Sequence, residues 1–120
     1  MEKIKFNKRL LKDCYGDPDK EIGTCTKEIV SANILEVEAG TTDYKGGDSG
    51  HGCRSYFRIK DLASTDMRVN SSNDSIHGSY VEVTLGGDTE LYTMIEALRF
   101  IADVLDNGET TKESIKTIGK

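Results

Sequence analysis

At 120 residues the chain has room for one domain, because single domains cluster at about 100 to 150 residues. Its apolar fraction of 36% is low for that length, so a lone subunit would have a thin core, and self-association is expected. A formal charge of −5 repels a phosphate backbone at long range; this argues against DNA and RNA polymers but leaves a small nucleotide open where basic groups are local.

No apolar run approaches the roughly 20 residues of a membrane span. The start, Met1-Glu2-Lys3-Ile4-Lys5, lacks the apolar stretch of a signal peptide, so the chain is expected in the cytoplasm. Cys14, Cys25 and Cys53 form no CxxC pair, and their odd number suits reduced thiols better than a disulfide framework.

In chain order, residues Met1 to Thr26 are lysine-rich and broken by Gly16, Pro18 and Gly23, which predicts a leading element and loop through residue 27. Glu28 to Glu38 alternates, with Asn33, Leu35 and Val37 on one side and Ala32, Ile34 and Glu36 on the other, and predicts one strand. Gly40 to Gly52 has no apolar period and carries five glycines, the mark of a long loop. Arg54 to Leu62 predicts a second strand, with Ser55, Phe57 and Ile59 on one face and Tyr56, Arg58 and Lys60 on the other. Met67 to Asn70 predicts a short strand with Met67 and Val69 inward, and Ser71 to Gly78 an exposed turn. Tyr80 to Leu85 alternates as a half-buried strand, with Val81, Val83 and Leu85 on one side.

A helix is predicted from Thr89 to Asp106, entered through Gly86-Gly87-Asp88 and left through Asn107-Gly108. Leu91, Met94, Ile95, Leu98, Ala102 and Leu105 form a stripe at helical spacing, widened by Ala97, Phe100, Ile101 and Val104. One side of so broad a surface suits the sheet and another a partner chain. The tail from Thr110 to Lys120 adds a short helix or frays. Consecutive strands followed by a helix predict an α+β fold, with an antiparallel sheet over residues 28–86 and a helical layer over 88–120.

The segment Gly46-Gly47-Asp48-Ser49-Gly50-His51-Gly52 has the ingredients of an anion cradle, since glycines let backbone N–H groups approach phosphate oxygens. It is neither a Walker A loop nor GxGxxG, and a tight hairpin connection is the competing reading. Thr41, Thr42, Ser49 and His51 supply neutral hydrogen-bonding groups around it, with Gly47 and Asp48 in the loop itself. Arg54 and Arg58 follow on alternate strand positions with Tyr56 between them, a pattern suited to clamping a pyrophosphate beside a purine platform. The bland alternative pairs these arginines with Glu36 or Glu82 in surface salt bridges. Arg99, a lone cation in an apolar helical stretch, is a further candidate clamp, and Arg68 and Asn70 are candidates for the same cleft.

The string Asp48-Ser49-Gly50 resembles the nucleophile segment of chymotrypsin-like proteases, but both histidines, His51 and His77, lie downstream of the serine, so that chemistry is rejected. Cys53 is too close to His51 for a dyad built from separate elements. Asp48, His51 and Cys53 make an incomplete metal set, and no metal or cofactor is expected. Glu36, Glu38, Asp61 and Asp66 are carboxylates among 21 acidic residues, and nothing in their spacing selects a pair.

Taken together, ILEVEAGTT, GGDSGHG, RSYFRIKDL, TDM and GGDTELYTMIEALRF resemble the first Thoeris anti-defence family of phage proteins, small sponges that capture the cyclic ADP-ribose signal made by bacterial TIR-domain enzymes. The resemblance covers Ile29 to Leu105. It implies sequestration of glycocyclic ADP-ribose without turnover, so no enzyme activity. Taken together with the loop-plus-arginine cluster, it leads to the expectation that phosphates meet Arg54, Arg58, Arg99 and loop amides and that adenine meets Tyr56 or Phe57. It further implies a homodimer that assembles to a hexamer, and a separate site for cyclic oligonucleotides. A nucleotide-signal hydrolase and a protein-interaction inhibitor of a host defence enzyme are the alternatives.

Overall fold

The computed structural model describes residues 4–11, 20–43, 53–74 and 76–118. Across them the elements run β1 (Ile4–Leu11), β2 (Lys20–Val30), β3 (Ile34–Thr41), β4 (Ser55–Ala63), β5 (Met67–Ser72), β6 (Tyr80–Leu85), α1 (Asp88–Asp106) and α2 (Ser114–Ile118). The architecture is α+β. β1 to β4 form a four-stranded sheet in chain order, and β5 and β6 form a separate two-stranded ribbon. Every pairing is antiparallel. The glycine-rich segment with Gly47, Asp48, Ser49 and His51 lies outside the described residues.

The sheet begins earlier than its polarity predicts. In place of a leading element and loop, residues 4–11 and 20–30 are strands, paired from Ile4 opposite Lys27 to Leu11 opposite Lys20. β1 is an edge strand, and edge strands carry lysines that discourage pairing with a further chain, which disguises them in a sequence. The single strand expected over Glu28 to Glu38 is the end of β2, a turn and the start of β3. Ser31 donates its N–H to the Asn33 carbonyl at 2.9 Å to close that turn. Ile29 and Leu35 face each other across it, so the period of two passes through the reversal in phase and leaves no break in the pattern. Asn33 is buried, and its amide donates to the Thr65 hydroxyl at 3.0 Å and the Thr93 hydroxyl at 2.9 Å, tying the turn to α1.

One sheet face holds Cys25, Ile29, Leu35, Val37 and Ala39, packed against Met94, Ala97, Phe100, Ile101 and Val104 of α1. Full burial of aliphatic side chains such as Leu35 and Val37 stabilises by about 1.5–3 kcal/mol each. The predicted helical stripe is largely displaced: Leu91 and Leu98 are exposed, and the residues expected merely to widen it form the core. Apolar side chains nearly encircle α1, so periodicity alone cannot choose a face. The chosen face carries the small Ala97, which permits close approach, and Thr93, which meets Asn33. The ribbon also departs from expectation. Only its root, where Met67 faces Leu85, packs on the core, while Val69, Val81 and Val83 are exposed.

Both ends of α1 follow the sequence signals. Gly87 precedes it at φ 118, and Gly108 follows Asn107 at φ 90, both in backbone regions that favour glycine. Near its start the Glu90 carboxylate accepts the Asp66 N–H at 3.1 Å and the Thr89 hydroxyl at 2.9 Å. Those hydrogen bonds, the Asp66 amide first, hold Glu90 below the usual carboxylate range. A Cβ at Gly87 would sit 2.6 Å from Glu90 Oε1 in addition to the unfavourable φ. Gly87→Ala is therefore expected to destabilise by about 1–3 kcal/mol, the cost of holding a non-glycine residue in that region. Urea denaturation checks this; an unchanged midpoint would show that the helix entry tolerates a side chain. Among the described residues, no helix is long and apolar enough to cross a membrane.

Candidate functional site

The second face of the four-stranded sheet carries mainly polar and charged side chains, with Ile22 buried opposite Arg9. Direct cross-strand neighbours run Lys5 to Thr26, Thr26 to Glu38 and Glu38 to Arg58, one row spanning all four strands. Beside it Asn7 faces Thr24, and Tyr56 faces Gly40.

Glu38 is the centre of this network. It is 4% exposed, and its two oxygens accept Arg9 Nε and Nη2, each at 2.8 Å. The Thr24 hydroxyl adds a donor at 2.6 Å. Burial alone would raise the Glu38 carboxyl. The Arg9 and Thr24 hydrogen bonds, with the charges of Arg9 and Arg58, outweigh it and hold the group below the usual carboxylate range. In return the Glu38 hydrogen bond raises Arg9 above its ordinary value. The Arg9 guanidinium lies over the Tyr56 ring, 5.2 Å from the centroid, so one arginine is held by a bidentate carboxylate and an aromatic face together. A depression of about 390 Å³ opens beside this pair. Lys5, Asn7, Lys8 and Arg9 of β1 border it, with Thr26, Glu36 and Glu38 behind them. Asn7 donates to Thr26 Oγ1 at 2.6 Å within that lining.

The residues expected to form one pocket are distributed over several surfaces. Tyr56 and Arg58 do share the polar sheet face, and Arg58 approaches Glu36 at 3.9 Å, a loose ion pair of the kind the bland alternative anticipated. Phe57 projects to the opposite face, so only one of the two aromatic candidates lies beside Arg58. Arg54 and Thr42 close the end of the β3–β4 ladder. The Arg54 N–H donates to Thr42 Oγ1 at 2.9 Å, and the Thr42 N–H donates to the Arg54 carbonyl at 2.9 Å. Arg54 Nη1 also donates to the Cys53 carbonyl at 2.9 Å. Thr41 is buried, its hydroxyl 2.9 Å from that of Ser55 and accepting the Asp43 N–H at 3.1 Å, so it serves the fold.

Arg68 and Asn70 lie on the ribbon, Arg68 3.9 Å from Asp66 and Asn70 donating to Glu82 at 3.0 Å. Arg99 is exposed on α1, which covers the other side of the sheet, so within one subunit it does not reach Tyr56. His77 is exposed in its turn beside Asp74 at 2.9 Å. Burial pushes the Cys25 thiol up to about 11, which makes it unreactive at neutral pH. Among the described residues no group of three His, Cys, Asp or Glu side chains is placed to hold a metal ion.

Sequence reasoning passed over Arg9 and saw no reason to single out Glu38. One signal was present: Arg9 is the only arginine before Arg54, set among lysines. Arginine differs from lysine in its planar fork, the shape that a bidentate carboxylate partner requires. Fold and site together define an α+β domain with one sheet face given to its core and the other to a charged hydrogen-bonded network. Comparison with protein-family models, curated proteins and solved structures returns no match to this chain.

Proposed function

We propose that this protein is a phage anti-defence sponge acting in the bacterial host cytoplasm. It binds glycocyclic ADP-ribose made by TIR-domain enzymes, without cleaving it, and so withholds the activator of the Thoeris effector. The observation that carries this reading is the cluster of Arg9, Tyr56 and Arg58 on one polar sheet face, within an acidic chain. Guanidinium groups beside an aromatic ring supply contacts for phosphate and for a purine. Sequestration requires affinity alone, and no acid, base or nucleophile has to be assigned.

Assembly into a homodimer, with the hexamer as the larger form, belongs to the same reading. Its support is the apolar surface left exposed at Leu91, Tyr92 and Leu98 of α1 and at Val69, Val81 and Val83 of the ribbon. An isolated two-stranded ribbon is marginal in water, and a second subunit would cover it.

The test is capture and release. Purified protein is mixed with glycocyclic ADP-ribose, filtered free of excess ligand and heat-denatured, and the released nucleotide is analysed. Intact nucleotide is the expected result. Broken products alone would move the protein to the hydrolase class, and no recovered nucleotide would sink the reading. A host protein co-purifying at fixed stoichiometry without nucleotide would favour a direct inhibitor of a defence enzyme. Arg58→Ala is expected to weaken capture by about 10-fold, the loss of one charge-assisted contact, with an unchanged elution volume in size-exclusion chromatography. Capture at full strength in that variant would remove Arg58 from the site.

A further inference from the structure

On that reading of the sheet face, we infer that the surface on which the purine stacks is the guanidinium plane of Arg9, and that Glu38 is the positioning residue that fixes this plane. Tyr56 then acts as its backing. The first observation is that one face of Tyr56 is already covered: Arg9 Cζ lies over the ring at 5.2 Å from its centroid. The second is that Arg9 is not free to swing away, because Nε and Nη2 are each held at 2.8 Å by the two oxygens of a carboxylate that is itself buried. Two parallel hydrogen bonds fix the orientation of a planar group as well as its position.

The third observation locates the open side. Arg9 borders the depression, and Tyr56 is not among the residues that line it. Its side chain keeps 37% of its exposure although the Glu38 side chain keeps only 5%. A planar cation backed by an aromatic ring and presented to a cavity is a stacking surface for a second flat, electron-rich ring.

The cavity and its border suit a purine nucleotide. At about 390 Å³ the depression falls in the range of small-molecule sites, roughly 300–1,000 Å³. Lys5 places a cation on its rim for a phosphate, and Asn7, Thr26 and Glu36 offer donors and acceptors for sugar hydroxyls. Glu38 offsets the charge of Arg9, which leaves the plate to the base and Lys5 to the phosphate.

The proposal separates a plate from a simple anchor by comparing two probes, AMP and ribose phosphate, which share sugar and phosphate and differ in the base. Calorimetric titration of the full chain is expected to show that Arg9→Lys weakens AMP binding by at least about 10-fold, the loss of one base stack, and ribose phosphate binding far less. Glu38→Gln, which keeps the shape but loosens Arg9, should change the ratio in the same direction. Equal loss for both probes, or no loss for either, would overturn the plate. Where Arg9→Lys does not fold, Tyr56→Leu carries the same comparison, because it removes the backing and leaves the Arg9–Glu38 pair intact.

Wild-type protein that binds AMP through Arg9 but not glycocyclic ADP-ribose would keep the plate and reject the sponge. Glycocyclic ADP-ribose held undiminished by Arg9→Lys would keep the sponge and reject the plate. Failure of the wild type to bind either nucleotide overturns both.

Discussion

Arg9→Leu is expected to destabilise the fold by about 3 kcal/mol at neutral pH, the low end for breaking a buried ion pair because Arg9 itself is partly exposed. Glu38 would remain inside with Thr24 as its hydrogen-bond donor and Arg58 as the neighbouring charge. The size of the loss depends on pH, and its sign follows from linkage. In the native chain Glu38 is depressed below its unfolded value, so between the two values the unfolded state binds more protons and stability rises with pH. This contribution is complete above the unfolded carboxylate range, about 4.3. It is lost as the pH falls through the folded-state value. In Arg9→Leu the largest depressing partner is gone and burial pushes the group up, so the variant loses stability at neutral pH and regains part of it in acid. Urea denaturation of both proteins at neutral pH and at about pH 3 should therefore show a gap that narrows on acidification. A gap of constant size would mean that Arg9 acts through packing over Tyr56, with its charge irrelevant to stability.

Gly40→Val is expected to be at least as damaging, at more than about 3 kcal/mol, the upper end for overpacking. A Cβ at Gly40 would collide with the Gly23 carbonyl and lie 2.9 Å from Thr24 Cα. The obstruction is the backbone of the adjacent strand, so relief requires β2 and β3 to separate. Gly40 also lies opposite Tyr56, the ring that backs Arg9. Far-ultraviolet circular dichroism with a thermal melt checks this. A melt within a few degrees of the wild type would show that the two strands can part locally without loss of the sheet.

The legible parts of the chain are those with local causes. β6 occupies Tyr80–Leu85 as its alternation predicts, and α1 differs from prediction by one residue at its start, because Gly87 and Gly108 mark its ends through their own backbone freedom. Tyr56 and Arg58 share a face because strand geometry alternates side chains whatever the strand pairs with. The β2–β3 turn was hidden for the opposite reason. Ile29 and Leu35 keep the same phase on either side of it, and the amide of Asn33 acts through Thr65 and Thr93, both far along the chain.

The sequence by itself determined an α+β order of strands then helix, a net charge of −5, and the alternation that puts a ring and a guanidinium side by side on β4. Those properties are set by composition or by neighbours within a few residues. Only the tertiary structure decided which face of α1 is buried, that Phe57 leaves the polar face, and that Arg9 meets Glu38 and Tyr56. Arg9 and Glu38 stand 29 positions apart on strands that are not adjacent. Their meeting depends on the register of β1 with β2 and of β2 with β3, and on the burial that makes a single bidentate partner for Glu38 worth more than many exposed ones.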